Sequence, residues 1–377
     1  MIRSYVPAER PQPHASLLFS RDEREARVRY AHALGAGAIT PLVDRPDLAR
    51  ALSLARVWVK DETHRLGLPA FKPLGARFAV ETLLERGRIA PGATLVCASE
   101  GNHGRAVAQA ARSAGCQARI YLSHAVAAPR ADAIASEDAT VVRVGATYDE
   151  AVRHAAEDAA REGWTIISDT SWDGYEEVPR LIMLGYSQMV HEMRAQQPDG
   201  WRPDVIAVPG GVGGLLAGVA LGAAEVWSSP PHIVCVEPDS AACLMASART
   251  GRPTPVDGPF TTEMGGLRCG EVSPLGFAMA HPHVSAYVTV DDDWGACALR
   301  MLARPSEATV TPVRAGLSGA AALAGLMALC SGAHGQPDAV RRALGLSAGA
   351  TAVVIASEGV TDPPLWARLM GEDSTGR

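Results

Sequence analysis

Short apolar runs alternate with longer amphipathic stretches along this chain, and the alternation predicts its elements. Residues 55–60 read as a strand and 75–86 as an amphipathic helix. Residues 94–98, 118–122, 140–144 and 164–168 read as further strands, with helices over 104–114 and 148–162 among them. The runs at 205–209, 233–236 and 352–356 are apolar throughout rather than at every second position. Strands of that kind are buried on both faces, and when helices separate them they pair in parallel. The predicted class is α/β. The polar tail 370–377 is expected to fray.

Composition narrows the functional classes. A chain of 377 residues, 47% hydrophobic and 20% charged, suffices for two or three domains with sizeable cores at ~150 residues each. Its formal charge of −6, with no basic block, argues against nucleic-acid or anionic-membrane partners. No window holds the ~18 uninterrupted apolar residues of a membrane span. The first ten residues lack a signal peptide's apolar core, so a soluble, cytoplasmic protein is expected. Seven cysteines, an odd number with no C-x-x-C pair, read as free thiols rather than a disulfide framework or zinc site. His281-Pro282-His283 has no third ligand nearby, and no metal is expected.

Three stretches carry chemistry. Val208-Pro209-Gly210-Gly211-Val212-Gly213-Gly214-Leu215 closes a predicted strand and opens an apolar helix, an arrangement that aims bare amides and the positive end of a helix dipole at a phosphate. It is neither a P-loop nor G-x-G-x-x-G, and a tight strand-to-helix turn is the alternative. In Ala70-Phe71-Lys72-Pro73-Leu74-Gly75, Lys72 stands where a turn meets a helix. The dipole there disfavours its ammonium, which predicts a lowered pKa and an amine free to form a Schiff base; the alternative is a solvated lysine. Ala98-Ser99-Glu100-Gly101-Asn102-His103-Gly104 gathers polar side chains at the carboxyl end of another strand, where open α/β sheets bind ligands. His103 reads as a packed histidine. A reactive lysine, a phosphate cradle and an Asn-containing turn are together the parts that hold pyridoxal 5′-phosphate.

With these parts the chain resembles the fold-type II pyridoxal-phosphate enzymes, the superfamily of the tryptophan synthase β-subunit and threonine dehydratase. Phe71-Lys72 and Gly101-Asn102-His103-Gly104 carry that likeness. Asp169-Thr170-x-Trp172-x-Gly174-Tyr175 and Gly266-Leu267-x-Cys269-Gly270 are similar to the diaminopropionate ammonia-lyase subfamily, and Thr40-Pro41-Leu42, Gly185-Tyr186, Ser318-Gly319-Ala320 and Glu358-Gly359-x-Thr361-Asp362-Pro363 extend the match along the chain.

The resemblance implies two open, twisted, mostly parallel sheets with helices on both faces and the cofactor in an interdomain cleft. It implies a large domain of residues 1–78 and 172–377, a small Rossmann-like domain of 79–171, and a homodimer. Lys72 would carry the cofactor covalently, Asn102 would bond its ring oxygen, the amides of Gly210, Gly211, Val212, Gly213, Gly214 and Leu215 would hold its phosphate, and Ser357 would face its pyridine nitrogen. The substrate would be a small amino acid, 2,3-diaminopropionate, losing ammonia by β-elimination to give pyruvate and two ammonia. Lys72 would be the base for an L-substrate and a carboxylate on the other face the base for a D-substrate. Glu100 and Asp169 are the candidate carboxylates, one of which would protonate the departing amine. Dehydration of serine, threonine or a hydroxyaspartate, β-replacement, and a homologue that binds cofactor without turnover are the alternatives.

Four positions depart from the subfamily pattern: Glu100 for Asp, Leu317 for Glu, Pro69 for Asn and Val360 for Asp. The extra methylene of Glu100 moves its carboxylate by ~1.5 Å, one carbon–carbon bond, and displacements near ~1 Å can cost ~100-fold in rate. These changes bear on substrate and stereochemistry. Cys243 and Cys269 flank the substrate side implied by the likeness and would tie a loop if they lay close together, but a cytosolic setting is expected to keep them reduced.

Overall fold

The apolar runs form strands where their pattern predicts them, in a computed structural model that describes residues 2–99, 101–331 and 337–371. The strands are β1 (Arg3–Tyr5), β2 (Leu42–Asp44), β3 (Arg56–Asp61), β4 (Thr94–Ala98), β5 (Gln117–Leu122), β6 (Thr140–Arg143), β7 (Thr165–Ile166), β8 (Val205–Pro209), β9 (His232–Pro238), β10 (Val284–Val290) and β11 (Thr351–Ala356). They make a seven-stranded sheet in the order β1-β10-β9-β8-β11-β3-β2 and a four-stranded sheet in the order β6-β5-β4-β7. The four strands of the second sheet lie within 79–171, and the seven of the first lie outside it.

The smaller sheet is parallel throughout. The larger one is parallel except at its edges, where the short strands β1 and β2 pair antiparallel with β10 and β3. The apolar pattern does not reveal these edges, because three half-exposed residues are too few to show a period. It also misses β10, whose Ser285 and Thr289 interrupt the apolar run although every residue of the strand is buried. The run expected at 164–168 is ordered as a strand only at Thr165–Ile166.

Burial on both sheet faces is direct. In β8, Ile206 and Val208 point into one core and Val205 and Ala207 into the other; in β11, Val353 and Ile355 oppose Ala352, Val354 and Ala356 in the same way. Among the described residues no helix is long and apolar enough to cross a membrane.

Both sheets change winding direction at one point. In the small sheet this lies between β4 and β7, and in the large one between β8 and β11. Ligands of open α/β sheets bind outside the carboxyl ends of the strands at such switch points. The segments leaving those four ends carry Ser99, Gly101, Asn102 and His103, then Ile167–Thr170, the Gly210–Gly214 turn and Ser357–Glu358.

Two helices begin at this crevice, Lys72–Glu85 and Gly214–Val226, and both pack on the long helix Glu177–Ala195 through glycine. A Cβ on Gly75 would lie 2.4 Å from Tyr186 Cε1 and 2.7 Å from the Ile182 carbonyl oxygen, and one on Gly218 would lie 2.6 Å from the Met183 carbonyl oxygen. These contacts set how near the starts of the two helices approach each other. Gly75→Ala is accordingly expected to lower stability by ~1–3 kcal/mol, because the obstacle includes backbone that cannot yield and outweighs alanine's ~1 kcal/mol advantage in helix propensity. A urea unfolding midpoint equal to or above the parent's would show that the crossing is not this close.

The segment leading to Lys72 is anchored by a closed charge network. Arg65 bonds Glu62 (2.6 Å) and Glu192 (2.8 Å), Lys60 bonds Glu192 (2.7 Å), and all four side chains are buried. Two cations balance two carboxylates, which a buried group of charges requires.

Candidate active site

Lys72 opens its helix, three residues before the start expected at 75, with Phe71 as N-cap and Pro73 in the first turn. The preceding segment is pinned beside the end of β11: Phe71 N–H donates to the Ser357 carbonyl (3.1 Å) and Gly359 N–H to the Pro69 carbonyl (2.9 Å). Lys72 Nζ donates to Asp169 Oδ2 at 2.5 Å, joining residues 97 apart in sequence and the two sheets in space. Asp169 lies in the loop after β7 and caps no helix.

This ion pair reverses the charge state expected of the lysine. Burial depresses the Lys72 amine, but the Asp169 carboxylate outweighs burial and holds the amine above its ordinary range. Asp169 responds in the opposite sense. Burial would raise its carboxyl, yet its surroundings hold it well below the usual carboxylate range. Burial also lowers the His103 ring, and both His103 and the Lys72 ammonium act on Asp169 to lower it. Beside the Lys72 ammonium Asp169 is an ionised acceptor.

His103 Nε2 donates to the Ile167 carbonyl (3.1 Å), which leaves Nδ1 buried, 3.7 Å from Asp169 Oδ2 and without a hydrogen-bond partner among the described residues. The Tyr186 hydroxyl is likewise buried and unpartnered, and its ring packs edge-on against Phe71 at 4.7 Å. Asn102, first residue of the helix Asn102–Ser113, donates from Nδ2 to Glu358 Oε2 at 2.7 Å. Ser357 is buried, and its hydroxyl has no partner among the described residues.

The glycine turn departs from expectation at its first member. Gly210 N–H donates to the Val236 carbonyl (2.6 Å), extending the β8–β9 ladder, so that amide is spent. The amides of Gly211, Val212, Gly213, Gly214 and Leu215 donate to no protein acceptor among the described residues. Gly213 has φ +104°, a conformation that suits glycine, and the next residue begins an apolar helix. A Cβ on Gly210 would strike Cys235 Sγ at 2.6 Å.

Cys243 and Cys269 are free thiols on either side of this turn: Cys243 Sγ donates to the Gly211 carbonyl at 3.6 Å, and burial pushes the Cys269 thiol up to about 11. Glu100 lies outside the described residues. Glu358 and Tyr186 were missed as site residues by sequence reasoning. The one signal for Glu358 was an acid directly after Ser357 at the carboxyl end of a predicted strand.

Residues 34–341 match the model of the pyridoxal-phosphate dependent enzymes, and the chain belongs to that family. Within it, the chain is 32% identical to the diaminopropionate ammonia-lyase of Escherichia coli (strain K12) over 364 residues, 92% of this chain and 91% of that protein. It is 34% identical to the diaminopropionate ammonia-lyase of Salmonella typhimurium (strain LT2) over 354 residues, 87% of each. The crystal structure of the Escherichia coli enzyme in complex with an aminoacrylate-PLP azomethine reaction intermediate matches with a TM-score of 0.86 at 30% identity, covering 99% of this chain and 98% of that one.

The cofactor is therefore pyridoxal 5′-phosphate, and the residues present fit it. A lysine amine, five free amides at a helix N-terminus and three unpartnered polar groups (His103 Nδ1, Tyr186 Oη and the Ser357 hydroxyl) belong to this one region of the fold.

Proposed function

We propose that this protein eliminates ammonia from 2,3-diaminopropionate, giving pyruvate and a second ammonia with the uptake of one water. The observation that carries the reading is the Lys72–Asp169 ion pair at the mouth of the glycine turn, in a chain that matches diaminopropionate ammonia-lyases over nearly its whole length. Pyridoxal 5′-phosphate, when bound, acidifies the Cα–H of an amino acid joined to it and delocalises the electrons released. Lys72 would hold it covalently, the Gly211–Leu215 amides would take its phosphate, Asn102 its ring oxygen and Ser357 its ring nitrogen.

The chain's own groups supply the proton movements. Once substrate has displaced Lys72, Nζ takes the Cα proton of an L-substrate, and Asp169 stabilises the ammonium formed. The same Nζ–H then returns a proton to the departing β-amine. Glu100 is the candidate base on the opposite face, for the D-substrate. We further propose that 79–171 is a small domain closing on 1–78 and 172–377 to exclude water, in a cytoplasmic homodimer.

The test is a panel of both enantiomers of diaminopropionate, serine and threonine, with ketoacid and ammonia measured together. Two ammonia per pyruvate from diaminopropionate, at a rate exceeding the others, is the expected result. One ammonia per ketoacid, from the hydroxy amino acids alone, would make the protein a dehydratase. Cofactor colour with no product from any of them would make it a binding homologue.

A further inference from the structure

We propose that Glu358 is the positioning residue for Asn102, fixing which way round its carboxamide faces the cofactor. The inference rests on the assignment of Asn102 to the cofactor's ring oxygen. Glu358 follows β11 in the large sheet, and its Oε2 accepts from Asn102 Nδ2 at 2.7 Å across 256 residues of sequence.

Its carboxyl occupies a fitted slot. A Cβ on Gly316 would lie 3.2 Å from Oε1 and one on Gly266 would lie 3.2 Å from Oε2. Its backbone is held from both sides, by Gly316 N–H on its carbonyl (3.0 Å) and by a bridge to Ala70, two residues before Lys72. Burial raises its carboxyl, and Ser318 and Asn102 oppose that shift. Among the described residues no cation lies within ion-pairing distance, although Arg130 and Lys72 act on it from further off. A buried carboxyl without a paired cation is costly, and the loops nevertheless make room for one here.

The two ends of a carboxamide have nearly the same shape and opposite hydrogen-bonding character. A carboxylate accepts from Nδ2 and repels Oδ1, so Glu358 permits one orientation of Asn102 and forbids the flipped one. With one Nδ2 hydrogen committed to Glu358, the second remains as a donor for an acceptor in the crevice. An asparagine free to flip would present an oxygen to that acceptor half the time. The ring oxygen of the cofactor, an acceptor when ionised, would lose its donor in that flipped state.

The experiment compares the parent with Glu358→Asp, Glu358→Gln, Asn102→Ala and the Asn102→Ala/Glu358→Asp double variant. Glu358→Asp keeps the charge in the slot but withdraws the acceptor by one methylene; Glu358→Gln keeps the length but adds an NH2 donor that accepts the flipped orientation of Asn102 as readily. The readouts are the dissociation constant of pyridoxal 5′-phosphate, the pH dependence of its visible absorbance when bound, and melting of the cofactor-free protein.

Glu358→Asp is expected to weaken cofactor binding ~10-fold, the worth of one hydrogen bond to a charged group, and to shift the absorbance transition. Asn102→Ala should do the same, the double variant should be no weaker than the worse single one, Glu358→Gln should weaken binding by about 2-fold because it pairs equally with the flipped Asn102, and melting should be unchanged. Losses that multiply in the double variant, parent-like binding and absorbance in Glu358→Asp, or parent-like binding and absorbance in Glu358→Gln would each overturn the proposal. A parent protein that binds no cofactor at all would instead sink the cofactor assignment, and parent-like behaviour of Asn102→Ala would sink the role given to Asn102 and this inference with it.

Discussion

Lys72→Ala abolishes covalent retention of the cofactor and lowers turnover by ~10⁴-fold, the loss expected when the group that both attaches and deprotonates is removed. The measurement is borohydride reduction of the holoenzyme followed by peptide mass analysis. The parent gains the reduced cofactor's mass on the peptide containing residue 72, and the variant gains it nowhere. Because Lys72 also neutralises Asp169, loss of activity alone would not separate chemistry from structure. Lys72→Arg makes that separation. A guanidinium keeps a cation beside Asp169 and should preserve the melting temperature, but it has no amine to form an imine and should be as inactive as alanine. Full-intensity absorbance in Lys72→Ala that survives borohydride would transfer the attachment to another residue.

Asp169→Asn is expected to have the second largest effect, with turnover down ~100-fold. The physical reason is the reversal of the Lys72 charge state. Asp169 holds the Lys72 amine above its ordinary range; an asparagine leaves burial as the main influence, and the amine falls. An opposite charge at this distance moves a pKa by ~1–3 units.

The sign can be followed on both sides of neutrality. A lysine whose folded pKa is raised contributes stability below its unfolded value near ~10.4, and that contribution disappears as pH rises through the folded value. An aspartate whose folded pKa is depressed contributes above its unfolded value near ~3.9, and that contribution disappears as pH falls through the folded value. The pair therefore stabilises the cofactor-free protein between about pH 4 and pH 10, and the parent-minus-variant difference in melting temperature should be greatest there. Reductive methylation of the cofactor-free protein, followed at residue 72 against pH, reads the amine directly. Half-modification should move down by at least ~1 unit in Asp169→Asn. An unmoved profile would show that Asp169 does not control the proton on Nζ.

What could be read from the chain without its fold is what depends on neighbours in sequence. Continuous apolar runs identified the buried parallel strands, because burial on both faces removes polar positions from a strand wherever it sits in the sheet. The glycine turn and Lys72 were recognisable because a helix start and the few residues before it are one local object. Pairing across distance was not legible. Asp169 and Lys72 meet only because the switch points of two separate sheets face one crevice, and Glu358 meets Asn102 for the same reason. Gly210 looked like its neighbours in the turn, but the register of β8 on β9 commits its amide to Val236. The same distinction explains the reversed pKa of Lys72. The helix dipole that argued for a lowered value is a local property of the sequence, whereas the carboxylate that overrides it arrives from the other sheet, and at 2.5 Å a full charge outweighs the partial charge of a helix end.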